Sequence, residues 1–177
     1  MYAETFLKSL SFTVLAVHTW DALWEALPEA YGCIRYDLRD VGGSTATNSD
    51  RFHHPDDLND PLDTLGINRC HLVGVSMGGS IALNFALRQP ERVSSLSLLS
   101  PGLTGWEWSD EWRMLWLSIA QAARAGNMHS ARELWFNHPL FDSTRETAVA
   151  LKLRSEIARF PGMQWIHIRA SAISKLF

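Results

Sequence analysis

The stretch HLVGVSMGGSIALNFAL, His71–Leu87, passes from a strand-like pattern to a helical pattern within a single residue. Residues 71–73 are apolar and β-prone, and apolar side chains recur at helical spacing over residues 81–86. Between them lies a G-x-S-x-G pattern in which Gly74 and Gly78 flank Ser76. A Cβ at either flanking position would crowd the approaching backbone. The sequence therefore predicts a sharp strand-to-helix turn that carries Ser76 at the carboxyl edge of a sheet.

The segments GVSMGG and ALNFALRQPERVSSLSLLSPG, residues 74–79 and 82–102, resemble the α/β-hydrolase fold family. The resemblance is to its branch of small serine esterases, lactonases, aminopeptidases and cofactor-free perhydrolases. It implies that Ser76 is a nucleophile that forms an acyl-enzyme, and that the N–H of Met77 is the first oxyanion donor. It also implies a small ester, lactone or amide substrate and no cofactor. A serine at this position excludes the members of the family that use an aspartate nucleophile.

Alternating strands and helices around this turn favour right-handed βαβ units and a parallel sheet. We therefore expect an α/β fold, a partial α/β-hydrolase parallel sheet with flanking helices and a helical cap, in which residues 1–100 form the incomplete core. The predicted strands are Phe12–Val17, Cys33–Tyr36, the segment before Ser76 and Val93–Leu99. The predicted helices are Asp21–Ala30, a short one near Asp57–Leu65 that ends at Gly66, and the one after Ser76.

Residues 101–177 change in character, since helical patterns replace the alternation and six of the eight tryptophans lie there. We interpret this region as a helical cap. One helix begins at Ser109 and ends near Gly126. A second carries Ala131, Leu134 and Trp135, and a third begins at Ser143 with a capping box to Glu146 and ends at Phe160. Two interpretations remain open for Trp106, Trp108 and Trp112: plain helix packing, or lining of an apolar acyl or ring pocket.

Composition limits the classes of function. The chain has 177 residues, 46% of them hydrophobic, and a net charge of −3, which suits one soluble domain and offers no nucleic-acid face. No apolar run reaches the roughly 18 residues of a membrane span. Cys33 and Cys70 fit reduced thiols in a cytoplasmic protein, and we interpret His53 and His54 as solvated loop residues, so no metal is expected. The sequence leaves the oligomeric state undetermined.

The family's catalytic acid and histidine follow the nucleophile in chain order, on loops after two later strands. Asp142 with His167 is the only downstream pair in that order, and neither follows such a strand. Upstream, His18 matches the family's oxyanion loop, but Thr19 replaces its glycine. Two hypotheses follow: a serine hydrolase represented by a fragment that lacks these two groups and is inactive alone, or a catalytically silent binding module of the same fold.

Overall fold

The computed structural model describes residues 7–12, 20–27, 32–38, 44 and 54–167. The chain divides into two compact units, Met1–Leu103 and Thr104–Phe177.

The first unit contains a parallel sheet of four described strands in the order β2-β1-β3-β4. Every pair of neighbours in it is parallel, which confirms the predicted α/β class. Its strands are β1 (Leu7–Phe12), β2 (Gly32–Arg35), β3 (Cys70–Val75) and β4 (Val93–Leu99). Parallel neighbours require crossover connections, and the helices between the strands supply them.

Helices α1 (Asp21–Ala26), α2 (His54–Asp57), α3 (Asn59–Thr64) and α4 (Met77–Arg88) belong to the same unit. Helix α4 packs on β3, β4 and β1, and α2 packs on α4. Gly66, at φ 67°, follows the end of α3 as predicted, because glycine adopts this conformation without steric cost. The apolar core of the unit includes the fully buried side chains of Leu38, Leu58, Leu62, Leu72, Ala82 and Phe85.

The first described strand, β1, spans Leu7–Phe12. The strand predicted over Phe12–Val17 shares only Phe12 with it, and its residues 13–17 lie outside the described residues. β1 pairs with β2 through Leu10 and Ile34 and with β3 through Leu10 and Leu72. The criterion of a continuous apolar run missed residues 7–11, because ladder partners on both sides, and not side-chain polarity alone, define a central strand. Helix α1 is also shorter than predicted, ending at Ala26.

Neither Cys33 nor Cys70 forms a disulfide with another described residue. Cys33 lies on β2 and Cys70 on β3, with β1 between these strands. Burial raises the pKa of the Cys70 thiol to about 11, although the nearby Arg92 opposes the shift. Cys70 is therefore an inert, protonated thiol near neutral pH.

The second unit is helical. Its helices are α5 (Asp110–Arg124), α6 (Met128–Phe136), α7 (Asp142–Arg145), α8 (Ala150–Arg159) and α9 (Met163–His167). The Ser109 hydroxyl accepts a hydrogen bond from the Trp112 N–H at 3.2 Å, which confirms the predicted N-cap of α5. The buried core of this unit consists of Ile119, Ala123, Ala131, Trp135, Phe136, Ile157, Phe160 and Trp165.

The prediction of one helix from Ser143 to Phe160 was wrong. Two helices stand there, α7 and α8, and the predicted capping box at Ser143 does not begin either of them. The Thr147 hydroxyl donates to the Thr144 carbonyl at 2.7 Å and accepts from the Val149 N–H at 3.3 Å. Such local side-chain bonds compete with the helical ladder, and they separate the two helices.

Across the described parts of the chain, no helix has both the length and the hydropathy needed to cross a membrane.

Candidate active site

Ser76 lies at the junction where β3 ends and α4 begins. Its backbone has φ 51° and ψ −120°, a conformation that residues with a Cβ rarely adopt. Holding a non-glycine residue there costs about 1–3 kcal/mol, and it persists only where surrounding contacts fix it. The strand-to-helix turn predicted at Ser76 is therefore present, in a strained form.

Two glycines make the close approach of β3 and α4 possible. A Cβ on Gly74 would lie 2.5 Å from the Gly78 carbonyl oxygen and 2.7 Å from the Gly79 Cα. A Cβ on Gly79 would lie 2.9 Å from the Cβ of Pro101. Contacts under 3.0 Å would force the backbone apart, so glycine is required at both positions.

Backbone hydrogen bonds engage both the N–H and the carbonyl of Ser76. Its N–H donates to the Leu99 carbonyl at 3.0 Å, and its own carbonyl accepts from the Ser80 N–H at 3.0 Å and the Gly102 N–H at 3.3 Å. The Leu99 and Gly102 contacts come from the end of β4, the neighbouring strand. Sequence reasoning missed these contacts, although the Pro101-Gly102 pair marks a turn at that point.

The hydroxyl of Ser76 is not used to cap α4. Ser76 is half-buried, and Met77 is the first residue of the helix. The first four N–H groups of a helix have no acceptor within it, and they carry partial positive charge. Met77 therefore presents its N–H beside Ser76, where the resemblance predicted an oxyanion donor.

Within the described part of the first unit, no side chain hydrogen-bonds to the Ser76 hydroxyl. His71 lies on β3, and its Nδ1 is 2.6 Å from the Ser95 hydroxyl instead. His18, Thr19 and His53 lie outside the described residues.

His138, in the second unit, is 1% exposed and lies among aromatic rings. Its ring packs edge-on against Trp112 at 4.5 Å between centroids and lies 5.2 Å from Trp135. Its Nδ1 accepts from the Leu140 N–H at 3.2 Å. Burial lowers the pKa of His138 below its usual value; Asp142 opposes this shift, and Arg145 adds to it. The imidazole is therefore neutral at physiological pH.

The pair of Asp142 and His167 stays a prediction, because the structure describes only one of its two side chains, that of Asp142. Asp142 forms an ion pair with Arg145, whose guanidinium also donates to the carbonyls of Phe136 and His138. The backbone of His167 ends α9, and its side chain lies outside what the structure describes. Asp142 is thus engaged in holding the segment between α6 and α7.

The three tryptophans predicted to line a pocket all belong to the second unit. Trp106 is 58% exposed, whereas Trp108 and Trp112 are half-buried and stack with their centroids 4.9 Å apart. The indole Nε1 of Trp112 and the Nε2 of His138 are buried and have no hydrogen-bond partner among the described residues. Whether these side chains contact a substrate stays a prediction.

Among the described residues, no group of three or more histidine, cysteine, aspartate or glutamate side chains could hold a metal ion.

A family model described as alpha/beta hydrolase fold matches residues 14–171. The chain belongs to this family. The match includes residues of both units and agrees with the parallel sheet of the first.

Similar proteins include two curated relatives. A 2-hydroxy-6-oxo-6-phenylhexa-2,4-dienoate hydrolase of Comamonas testosteroni is 57% identical over 44 residues, which are 25% of this chain and 15% of that protein. A protein of Bacillus subtilis (strain 168), provisionally named 2-succinyl-6-hydroxy-2,4-cyclohexadiene-1-carboxylate synthase, is 32% identical over 147 residues, or 80% of this chain and 53% of that protein. The chain thus spans about half the length of the second relative.

Among solved structures, the enol-lactonase from Burkholderia xenovorans LB400 is similar to this chain with a TM-score of 0.71. The two are 22% identical, and the match covers 96% of this chain and 64% of the lactonase. At this identity the likeness shows the fold alone.

Proposed function

We propose that this protein is a serine hydrolase that acts on a small ester, lactone or amide through an acyl-enzyme on Ser76. The observation that carries the proposal is the strained turn at Ser76, whose hydroxyl is left uncapped at the start of α4. Strain of this kind is retained where function needs it. A curated relative named as a hydrolase of a phenyl-bearing dienoate supports a small-molecule substrate.

In the proposed reaction the Ser76 Oγ attacks the acyl carbon, and a new C–O bond forms. The bond from that carbon to the alcohol or amine breaks, and the serine proton passes through a base to the leaving group. Water then cleaves the acyl-enzyme by the same route. The N–H of Met77, free at the helix N-terminus, would stabilise the tetrahedral oxyanion.

The proposal requires a base and an acid in addition to Ser76. Because no described side chain of the first unit bonds to the Ser76 hydroxyl, we propose that these described residues supply neither group. If no other part of the 177 residues supplies them either, the chain alone is a weak catalyst, since loss of the histidine from a serine triad costs on the order of 10⁶ in kcat.

We also propose that Trp106, Trp108 and Trp112 bind the apolar part of the substrate. The stacked pair of Trp108 and Trp112 offers a flat surface, and Trp106 leaves more than half of its side chain exposed. Aromatic side chains of this kind commonly line small-molecule sites.

Hydrolysis of p-nitrophenyl butyrate by the 177-residue chain tests the proposal, with Ser76→Ala as the variant and Ser97→Ala, an exposed serine of β4, as the matched control. We expect slow turnover that Ser76→Ala abolishes and Ser97→Ala leaves unchanged. Turnover that survives Ser76→Ala would overturn the proposal. An inactive fragment and a silent binding module would both show no turnover, so in that case labelling with a fluorophosphonate decides between them. An adduct on Ser76 supports the hydrolase, and no adduct favours the silent binding module.

A further inference from the structure

Leu99 ends β4, and together with the next three residues, Ser100, Pro101 and Gly102, it forms what we call the Leu99–Gly102 turn. It contains Ser100, the second of the two non-glycine residues with positive φ in the described chain, at φ 45°. The first is Ser76, at φ 51°. Ser76 and Ser100 thus directly follow neighbouring strands, and hydrogen bonds join the segments that contain them. This arrangement indicates that the two strained conformations depend on each other.

The Leu99–Gly102 turn contacts the backbone of Ser76 and the first turn of α4. Leu99 accepts the Ser76 N–H at 3.0 Å, and Gly102 donates to the Ser76 carbonyl at 3.3 Å. Pro101 lies where a Cβ on Gly79 would approach it to 2.9 Å, so it packs on the first turn of α4. The left-handed bend at Ser100 lies between the residues that make these contacts.

We infer that the Leu99–Gly102 turn is a positioning element that imposes the strained backbone of Ser76 by holding its N–H and its carbonyl at once. This inference rests on the proposed function, because the purpose of the strain is to present the Ser76 hydroxyl as a nucleophile. A backbone free of these bonds would relax toward negative φ, and the direction of the Ser76 side chain would change with it.

A thermal double-mutant cycle tests the inference without any need for activity. Ser76→Gly removes the strain, because glycine adopts positive φ freely, and we expect it to raise Tm by at least about 2 °C. Gly102→Pro removes the N–H that bonds to the Ser76 carbonyl, and Gly102→Ala is the matched control that keeps it. In the Gly102→Pro background we expect Ser76→Gly to change Tm by less than about 1 °C, whereas in the Gly102→Ala background the full rise should persist.

If Gly102→Pro does not fold, Pro101→Gly serves as the second background, since it removes the ring that packs against Gly79. In this background, too, Ser76→Gly is expected to change Tm by less than about 1 °C. An equal rise in Tm from Ser76→Gly in every background would overturn the inference, because the turn would then not be the source of the strain.

Kinetics separate a positioning role from a merely structural one. For Ser76-dependent hydrolysis of p-nitrophenyl butyrate, Gly102→Pro should lower kcat at least about tenfold with KM unchanged. Gly102→Ala, which keeps the N–H, should lower kcat by clearly less. If the effect of Ser76→Gly on Tm depends on the background but the protein shows no Ser76-dependent turnover, the positioning role stands and the proposed function is overturned. If Ser76-dependent turnover is found but Ser76→Gly raises Tm equally in every background, the proposed function stands and the positioning role is overturned.

Discussion

A Cβ placed on Gly74 would lie 2.5 Å from the carbonyl oxygen of Gly78, four residues along the chain. This separation is the steric condition for the turn that carries Ser76, because the last residues of β3 and the first turn of α4 share the same space. The turn thus depends on the absence of side chains at two nearby positions, Gly74 and Gly79.

Gly74→Ala should therefore destabilise the protein by about 2 kcal/mol or more, since the backbone atoms it meets cannot move without separating β3 from α4. Gly66→Ala is the control, because nothing lies within 4 Å of its Cβ position and only the positive φ is strained. That variant should lose about 1 kcal/mol. Urea unfolding of both variants measures the difference, and equal losses would contradict the steric account.

The stability of the protein should fall as pH drops from 7 to 5, because of His138. Burial lowers its folded pKa below the unfolded value of 6.5, so the unfolded chain binds more protons in this range. The neutral imidazole contributes its full stability above about pH 6.5, and that contribution is lost progressively as the pH falls toward the folded pKa.

Thermal melts from pH 8 to pH 5 check the His138 prediction. His138→Phe, which keeps a flat ring in the aromatic cluster, should flatten the decrease in Tm. His129→Phe is the control, since His129 is exposed on α6 and should leave the decrease unchanged. A slope that His138→Phe does not alter would assign the effect to other groups.

Ser109→Ala should destabilise the protein by about 1 kcal/mol through loss of the N-cap of α5. Ser118→Ala, in the same helix, is the control, because the Ser118 hydroxyl donates only to the Met114 carbonyl one turn earlier. Such bonding within a helix adds little stability, so this variant should be close to neutral. Chemical unfolding measures the free energy of unfolding of both variants. Equal losses of this free energy would show that the N-cap hydrogen bond of Ser109 adds no stability beyond that of an ordinary serine in the helix.

If Trp106 binds the substrate, Trp106→Ala should raise KM for the ester of an aromatic acid several-fold more than KM for the acetate ester of the same alcohol. The value of kcat should change little. Met114→Ala is the control, since Met114 is similarly exposed on α5. Steady-state kinetics on both esters measure the effect. Equal changes for Trp106→Ala and Met114→Ala would leave Trp106 as an ordinary surface residue.

The sequence was sufficient to predict features that depend on local sterics. The turn at Ser76 follows from its flanking glycines, β4 has the predicted bounds, and Ser109 caps α5 as expected. Features that depend on distant partners could not be predicted. The positive φ of Ser100 is one such feature, since Ser100 lies between Leu99 and Gly102, which hydrogen-bond to Ser76 from a different part of the chain.

Competition between local and helical hydrogen bonds explains another failure. Ser143 and Glu146 have the spacing of a capping box, but Thr147 bonds to Thr144 and Val149 and ends the helical ladder there. The aromatic surroundings of His138 were equally hidden, because α5 and α6 come together only in the folded second unit.

Covalent capture of the nucleophile tests the central claim most directly. The 177-residue chain is incubated with a fluorophosphonate, and the modified residue is located by peptide mass spectrometry. The account predicts a slow adduct on Ser76 that is absent from Ser76→Ala and unchanged in Ser97→Ala. An adduct on another serine, or none after prolonged incubation at high reagent concentration, would contradict the assignment of Ser76 as the nucleophile.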